Sequence, residues 1–400
     1  MLICYNIFKF ITGYFMRIIL IIFFIMFNLL YSQDYNNEEE QNAPIEIPII
    51  RAIAEDDINS LKNIINNGEN LEIRDEQGNT PLIWASLYGN VDIVRVLIDA
   101  NVNINNTNNF GNTALMGAVL EGHYSIIKLL MDNKADINIK NNDGWSALMW
   151  SSVRGDINIF NLLIEYGADI NVADINGNTP LMIASDSAYI DIVDRLIKLK
   201  VDVNKANNIG DNALLMASIS GNVDIVRKLI AAGANVHFKG ANGVSAIIYA
   251  SRFGRLDIVK ELIKNKSNVN IAASDGTTPL IAASIDGYIE IIKELLKNKA
   301  DVNKTNDLGY NALIIASIEN HIDIVKELIG YKANINDVTE EGYTALIGAA
   351  AAGNFDIVKI LVDAGADINY KSKSGDSASS IAKKKGNLEI FDFLNSISKK

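Results

Sequence analysis

The sequence predicts an all-α repeat solenoid in which each 33-residue unit supplies a β-turn and two antiparallel helices. Three observations lead there. Ten glycines (Gly78, Gly111, Gly144, Gly177, Gly210, Gly243, Gly276, Gly309, Gly342 and Gly375) stand 33 residues apart without insertion or deletion, and a fixed period of that size marks a stacked repeat. Two residues after each glycine comes Thr, Ser or Asn, the types that cap a helix by accepting a bond from an orphan backbone N–H. Further on, apolar residues recur at helical spacing, as in Val91-Asp92-Ile93-Val94-Arg95-Val96-Leu97-Ile98, which gives one buried stripe.

At the amino terminus, residues 18–31 read IILIIFFIMFNLLY, preceded by Arg17 and followed by Ser32-Gln33-Asp34. A positive residue, an apolar run of about 7–15 residues and a small residue after it form the secretory signal pattern. The run is also shorter than the ~20 residues a spanning helix needs. Residues 1–32 are therefore expected to be a signal peptide cut after Ser32, with Met16 as an alternative start. The alternative is a retained anchor, because Phe8, Phe10 and Phe15 lengthen the run. Lys9 and Arg17 precede the run and Asp34, Glu38, Glu39 and Glu40 follow it, so both readings place the body outside the cytoplasm, periplasmic or secreted. Residues 33–44 read as an acidic linker.

Residues 45–77 read as an amino-terminal capping repeat, with Gly68 in place but no turn signature before it. Residues 78–374 hold nine repeats. Residues 375–400 close the array as a carboxy-terminal cap, bringing the count to about eleven units. Lys383, Lys384, Lys385, Lys399 and Lys400 supply the polar outer face that a terminal repeat needs.

Within a unit, Pro81, Pro180 and Pro279 stand at the first helical position, where a missing N–H costs nothing. The first helix closes near Gly89, Gly122, Gly155, Gly221, Gly254, Gly287 and Gly353. The second ends before Gly167, Gly233 or Gly365, where a left-handed residue is expected. Elsewhere Asn101, Lys134, Lys200, Lys266, Lys299 and Lys332 fill that position; a lysine adopts positive φ poorly but complements the negative helix terminus. These lysines read as a solvated edge. Asp186, Ser187 and Ala188 break the pattern and predict a softer or kinked junction. The abundance of asparagine reads partly as an AT-rich coding bias.

These residues resemble the ankyrin repeat, a β-turn plus two helices with a T-P-L-H-x-A signature. The matches are TPLIWA, TALMGA, TPLMIA, TPLIAA and TALIGA, with GADIN behind the second helix, and they extend over residues 45–394. The signature His is replaced by Ile83, Met116, Met149, Met182, Leu215, Ile248, Ile281, Ile314 and Ile347. In the family that His is thought to bond between repeats, so apolar packing is expected to substitute here.

Composition narrows the chemistry. Lys+Arg 36 against Asp+Glu 48 gives a net charge of -12, which disfavours nucleic acid because that affinity rests on neutralising phosphates. The one cysteine, Cys4, lies in the signal segment, which removes two-thiol chemistry and thiolate metal clusters. His123 and His321 share one register position and read as structural, while His237 reads as an exposed loop residue. No GxSxG, HExxH, P-loop or GxGxxG occurs. Asn141-Asn142-Asp143-Gly144 reads as turn chemistry rather than a calcium loop. Unbroken 33-residue intervals leave no loop to build a catalytic site. The sequence therefore predicts no enzyme, no cofactor and no metal.

The resemblance implies protein binding through turn tips and the edge of the first helix, together a concave face. At the turns this selects Phe110, Trp145, Ile209, Leu308, Tyr310 and Tyr343. On the first helices it selects Leu87, Tyr88, Leu120, Val153, Ile219, Arg252, Phe253, Ile285 and Ile318. Aromatics and Arg dominate interface energies, and a solvated turn has no folding need for them. Trp84 and Trp150 read as core. The expected function is a non-enzymatic, monomeric scaffold that binds proteins outside the cytoplasm, touching a membrane only if the first segment stays as an anchor. A secreted effector engaging host proteins and a tethered structural element are the alternatives.

Overall fold

Most first helices in this chain start where a side chain satisfies a free N–H group, although Ser146 and Ser245 make no capping bond. The structure, a computed structural model, describes residues 47–398; the expected signal peptide and the acidic linker lie outside the described residues. Beyond Arg51 the chain forms one compact unit. Eleven successive helix pairs run from Pro48–Ala54 and Ile58–Asn66 to Ala378–Lys385 and Leu388–Ser398. The side chains of Thr80, Thr113, Thr179, Asn212, Thr278, Asn311, Thr344 and Ser377 each accept the N–H three residues on. Such caps contribute about 1 kcal/mol each.

The two helices of a unit differ because they meet different surroundings. In Pro81–Tyr88, Leu82, Ile83, Ala85 and Ser86 are all buried, since the helix packs against its own second helix and the first helix of the next repeat. An all-round apolar helix is the expected solution there. Val91–Asp99 buries only Ile93, Val94 and Leu97 and exposes Asp92 and Arg95. Each fully buried aliphatic side chain contributes roughly 1.5–3 kcal/mol, and these stripes repeat along the array.

The turns carry the β content: among the described residues it amounts to isolated bridges such as Thr107–Thr113 and Lys239–Ser245. Asn101 and the five lysines after the second helices all take the left-handed conformation, with φ between 60 and 69°. What holds them there is the end of the helix. Lys266 N–H donates to the Ile263 carbonyl at 2.9 Å and Ser267 N–H to Leu262 at 2.9 Å, closing the carbonyls that a helix end leaves free.

Two sequence expectations gain detail. At Asp186–Ala188, read as a softer or kinked junction, Ala188 takes φ 62° where a glycine would sit. Tyr189 N–H still reaches the Ala184 carbonyl at 2.9 Å, as His123 N–H reaches Ala118 at 2.9 Å. The packed helices on either side hold the register, and the alanine absorbs a left-handed cost of roughly 1–2 kcal/mol.

The second expectation concerns the contact between repeats. The residues in place of the signature His, such as Ile83 and Met149, are buried as expected, but apolar packing is not the whole contact. Asn138 accepts the Asp169 N–H at 2.9 Å, Asn270 the Asp301 N–H at 2.7 Å and Asn336 the Asp367 N–H at 2.8 Å. At the turns, Asn141 Nδ2 donates to Asn112 Oδ1 at 2.9 Å and Asn207 Nδ2 to Asn178 Oδ1 at 2.8 Å. These asparagines are bridges between repeats, a role that the reading of their abundance as partly a coding bias did not include.

Candidate interaction face

At the turns the backbone is tied from within by side chains of the turn itself. Asn141 Oδ1 accepts the N–H groups of Asp143 and Trp145 at 3.0 and 2.8 Å, and Asn306 does the same for Leu308 and Tyr310 at 3.2 and 2.9 Å. The acidic and amide groups of these turns therefore serve the turn itself. A turn tied at its base aims its tip residues outward.

Five of the selected residues stand clear of the protein: Tyr88, Phe110, Ile209, Phe253 and Leu308 are 42–54% exposed. Leu87, Leu120, Trp145, Val153, Ile219, Arg252, Ile285, Tyr310, Ile318 and Tyr343 are only half-exposed. The reason is visible at Leu87, whose side chain lies on the next first helix, 3.1 Å from where a Cβ on Gly117 would stand. The aliphatic position nine residues after each glycine is thus shared between packing and surface. Arg252 is tied to Asp286 at 3.3 Å.

The tryptophans assigned to the core are not fully buried. Trp84 and Trp150 are half-exposed. Trp84 stacks on Tyr88 at 5.5 Å and donates its Nε1–H to Asp75 at 2.7 Å. Trp150 packs against Trp145 at 4.8 Å. Tyr249, which sequence reasoning passed over, stacks on Phe253 at 6.3 Å; burial raises its hydroxyl pKa, and the Asp211 charge adds to that. Trp84 and Trp150 sit six residues after a register glycine, so the alignment already used for other positions contained the signal, whereas Tyr249 at the same position is buried. Exposed Ile175, at a turn tip, was also passed over.

Towards the carboxy-terminal end, Tyr310 has its pKa raised first by burial and then by the Glu341 charge. Glu340, Glu341, Tyr343, Lys373 and Ser374 line an open groove nearby. His123 and His321 place a ring nitrogen 3.0 Å from the Leu87 carbonyl and 3.1 Å from the Ile285 carbonyl of the preceding repeats. Their place is structural, as the sequence suggested. His237 is exposed. Among the described residues no group of His, Cys, Asp and Glu could hold a metal ion, and no helix is long and apolar enough to cross a membrane. What the face can do chemically is bury a partner's apolar side chains against ring pairs.

A family model described as ankyrin repeats (three copies) matches residues 49–141, 133–207, 198–273, 214–306, 280–372 and 313–398. No curated protein matches the chain.

Proposed function

The chain belongs to the ankyrin repeat family, whose repeats generally mediate protein–protein contact, and from that premise we propose a non-enzymatic scaffold that grips a protein partner outside the cytoplasm. The grip is through the turn tips and first helices. The observation that carries this reading is the exposure of Tyr88, Phe110, Ile209, Phe253 and Leu308 at turn tips and first-helix ends. Large apolar side chains in water on a ridge mark contact sites, and aromatics among them supply anchors.

The test is a crosslinking pull-down with the triple variant Tyr88→Ser, Phe110→Ser and Phe253→Ser. Because these side chains are exposed, helix content measured by circular dichroism is expected to stay unchanged while the captured partner is lost. The same partners captured by the variant would overturn the reading. The extracytoplasmic part rests on the apolar run before Ser32. It predicts a mature protein that begins near Gln33, read by amino-terminal sequencing; a chain that begins at Met1 or Met16 and stays in the cytosolic fraction would refute it.

A further inference from the structure

The last unit carries a charge opposite to that of the rest of the chain. Seven of the chain's 36 basic residues follow residue 370, against three of its 48 acidic ones. These lysines stand where a stacking surface would be. Four residues after the register glycine, the nine units before it bury Leu or Ile, from Leu82 to Leu346, and the last has half-exposed Ser379. Eight residues after it, those units bury Ser, Val or Ala, from Ser86 to Ala350, and the last exposes Lys383. Solubility at an open end accounts for that exchange.

It does not account for Leu388. This position is apolar like its equivalents from Val91 to Phe355, and with no repeat after it Leu388 is 60% exposed. Its place is fixed, because Asn387 Nδ2 donates to the Ala350 carbonyl at 2.8 Å and Asn387 N–H to Ala382 at 2.9 Å. Phe391, one turn further along the Leu388–Ser398 helix, is half-exposed, with Lys383 Nζ 5.1 Å from its ring centroid. Residues three apart share a helix side, and the core takes Ile390 and Leu394 instead. Lys384 is engaged with Asp376 at 2.5 Å. Lys383 and Lys385 are exposed around Leu388, opposed by Glu389 and Asp392, and Lys399 and Lys400 follow in the sequence.

We propose that this end of the array docks on an anionic lipid surface. Leu388 and Phe391 enter the headgroup boundary, and Lys383, Lys385 and the terminal lysines lie beside lipid phosphates. An exposed leucine among lysines fits that occupant because apolar insertion and attraction to phosphate act together there. An acidic peptide would engage the lysines and leave Leu388 in water. The acidic body does not oppose the contact: each repeat adds about 10 Å, and charges beyond about 8 Å are screened. The docking needs neither the protein-binding face nor the amino-terminal apolar run.

The test is cosedimentation with vesicles of phosphatidylglycerol or of phosphatidylcholine. It uses the chain from Gln33, which keeps the compact unit and every described helix and lacks the apolar run that would enter either vesicle. Wild type is expected to prefer phosphatidylglycerol. Lys383→Gln with Lys385→Gln is expected to weaken that binding about thirtyfold, the share of two lysines at an anionic surface. Leu388→Ser is expected to weaken it severalfold without changing its salt dependence. All three side chains are exposed, so helix content by circular dichroism stays unchanged. Equal binding to the two lipids, or a preference that both variants keep, would overturn the proposal. So would capture of a hexaglutamate peptide but not of phosphatidylglycerol vesicles, which would assign the lysines to an acidic protein segment.

Discussion

At Gly89 two demands meet on a single atom. The residue must adopt φ 85° to end its helix, and a Cβ there would stand 2.5 Å from the His123 ring. That ring bonds the preceding repeat through the Leu87 carbonyl. Gly89→Ala therefore combines a left-handed cost of roughly 1–2 kcal/mol with a displaced hydrogen bond of about 1 kcal/mol. A loss of roughly 2–3 kcal/mol is expected in urea unfolding, and a loss below about 0.5 kcal/mol would show that the ring simply moves aside. Lys266 is the opposite case, an exposed side chain held at φ 65° with no neighbour to lose. Lys266→Gly is expected to raise stability by about 0.5–1 kcal/mol, the relief of strain less the added freedom of the unfolded chain. The tryptophans carry the complementary lesson. Trp84 and Trp150 looked like core because they are large and lie inside a helix. Their half-exposure follows from which side of the helix meets the next repeat, and a single unit's sequence does not contain that.

Helices and turns are the scale at which asparagine acquires its role. Asn270 accepts the Asp301 N–H and donates to the Lys299 carbonyl at 3.1 Å, so one side chain ties two turns. Asn270→Ala is expected to cost about 1–2 kcal/mol and to quicken exchange in the neighbouring turn. The ion pairs between second helices add a pH dependence whose sign is fixed. Hydrogen bonds from Lys198 and then Lys228 hold the Asp194 carboxyl below its ordinary value; Arg227 does the same for Glu261. A lowered folded pKa means the contribution is complete above the unfolded value and is lost as pH falls through the folded one. The urea midpoint should be level from about pH 7 to 5 and fall below about pH 4. Asp194→Asn should lower the plateau slightly and flatten that fall; an unaltered profile would show that the pair contributes nothing.

Across the whole array each repeat touches only its neighbours, so stability accumulates along the stack and each end must be closed. Ser377 and Ser380 close the last first helix with reciprocal caps, and Lys384 reaches Asp376 at 2.5 Å. Ending the chain after Lys371 removes the Ala378–Lys385 and Leu388–Ser398 helices and uncovers the apolar flank of Ala345–Ala352, where Leu346 and Ile347 are now 1% exposed. Concentration-dependent association in gel filtration is expected for that truncation and not for the full chain. A truncated chain that stays monodisperse would show that the cap is dispensable.

The period of 33, the capping residues and the apolar stripes determined the fold from sequence alone, because each is a local rule repeated many times. The signature-His replacements were legible too, as buried apolar residues. Tertiary structure alone decided what those rules leave free. It put the asparagines to work between repeats, held Ala188 in a glycine's conformation, and split the selected surface into exposed and shared side chains. Each of these depends on what the adjacent repeat places within a few ångströms. Exposure in a solenoid belongs to a pair of repeats, and a register read one unit at a time carries no such information.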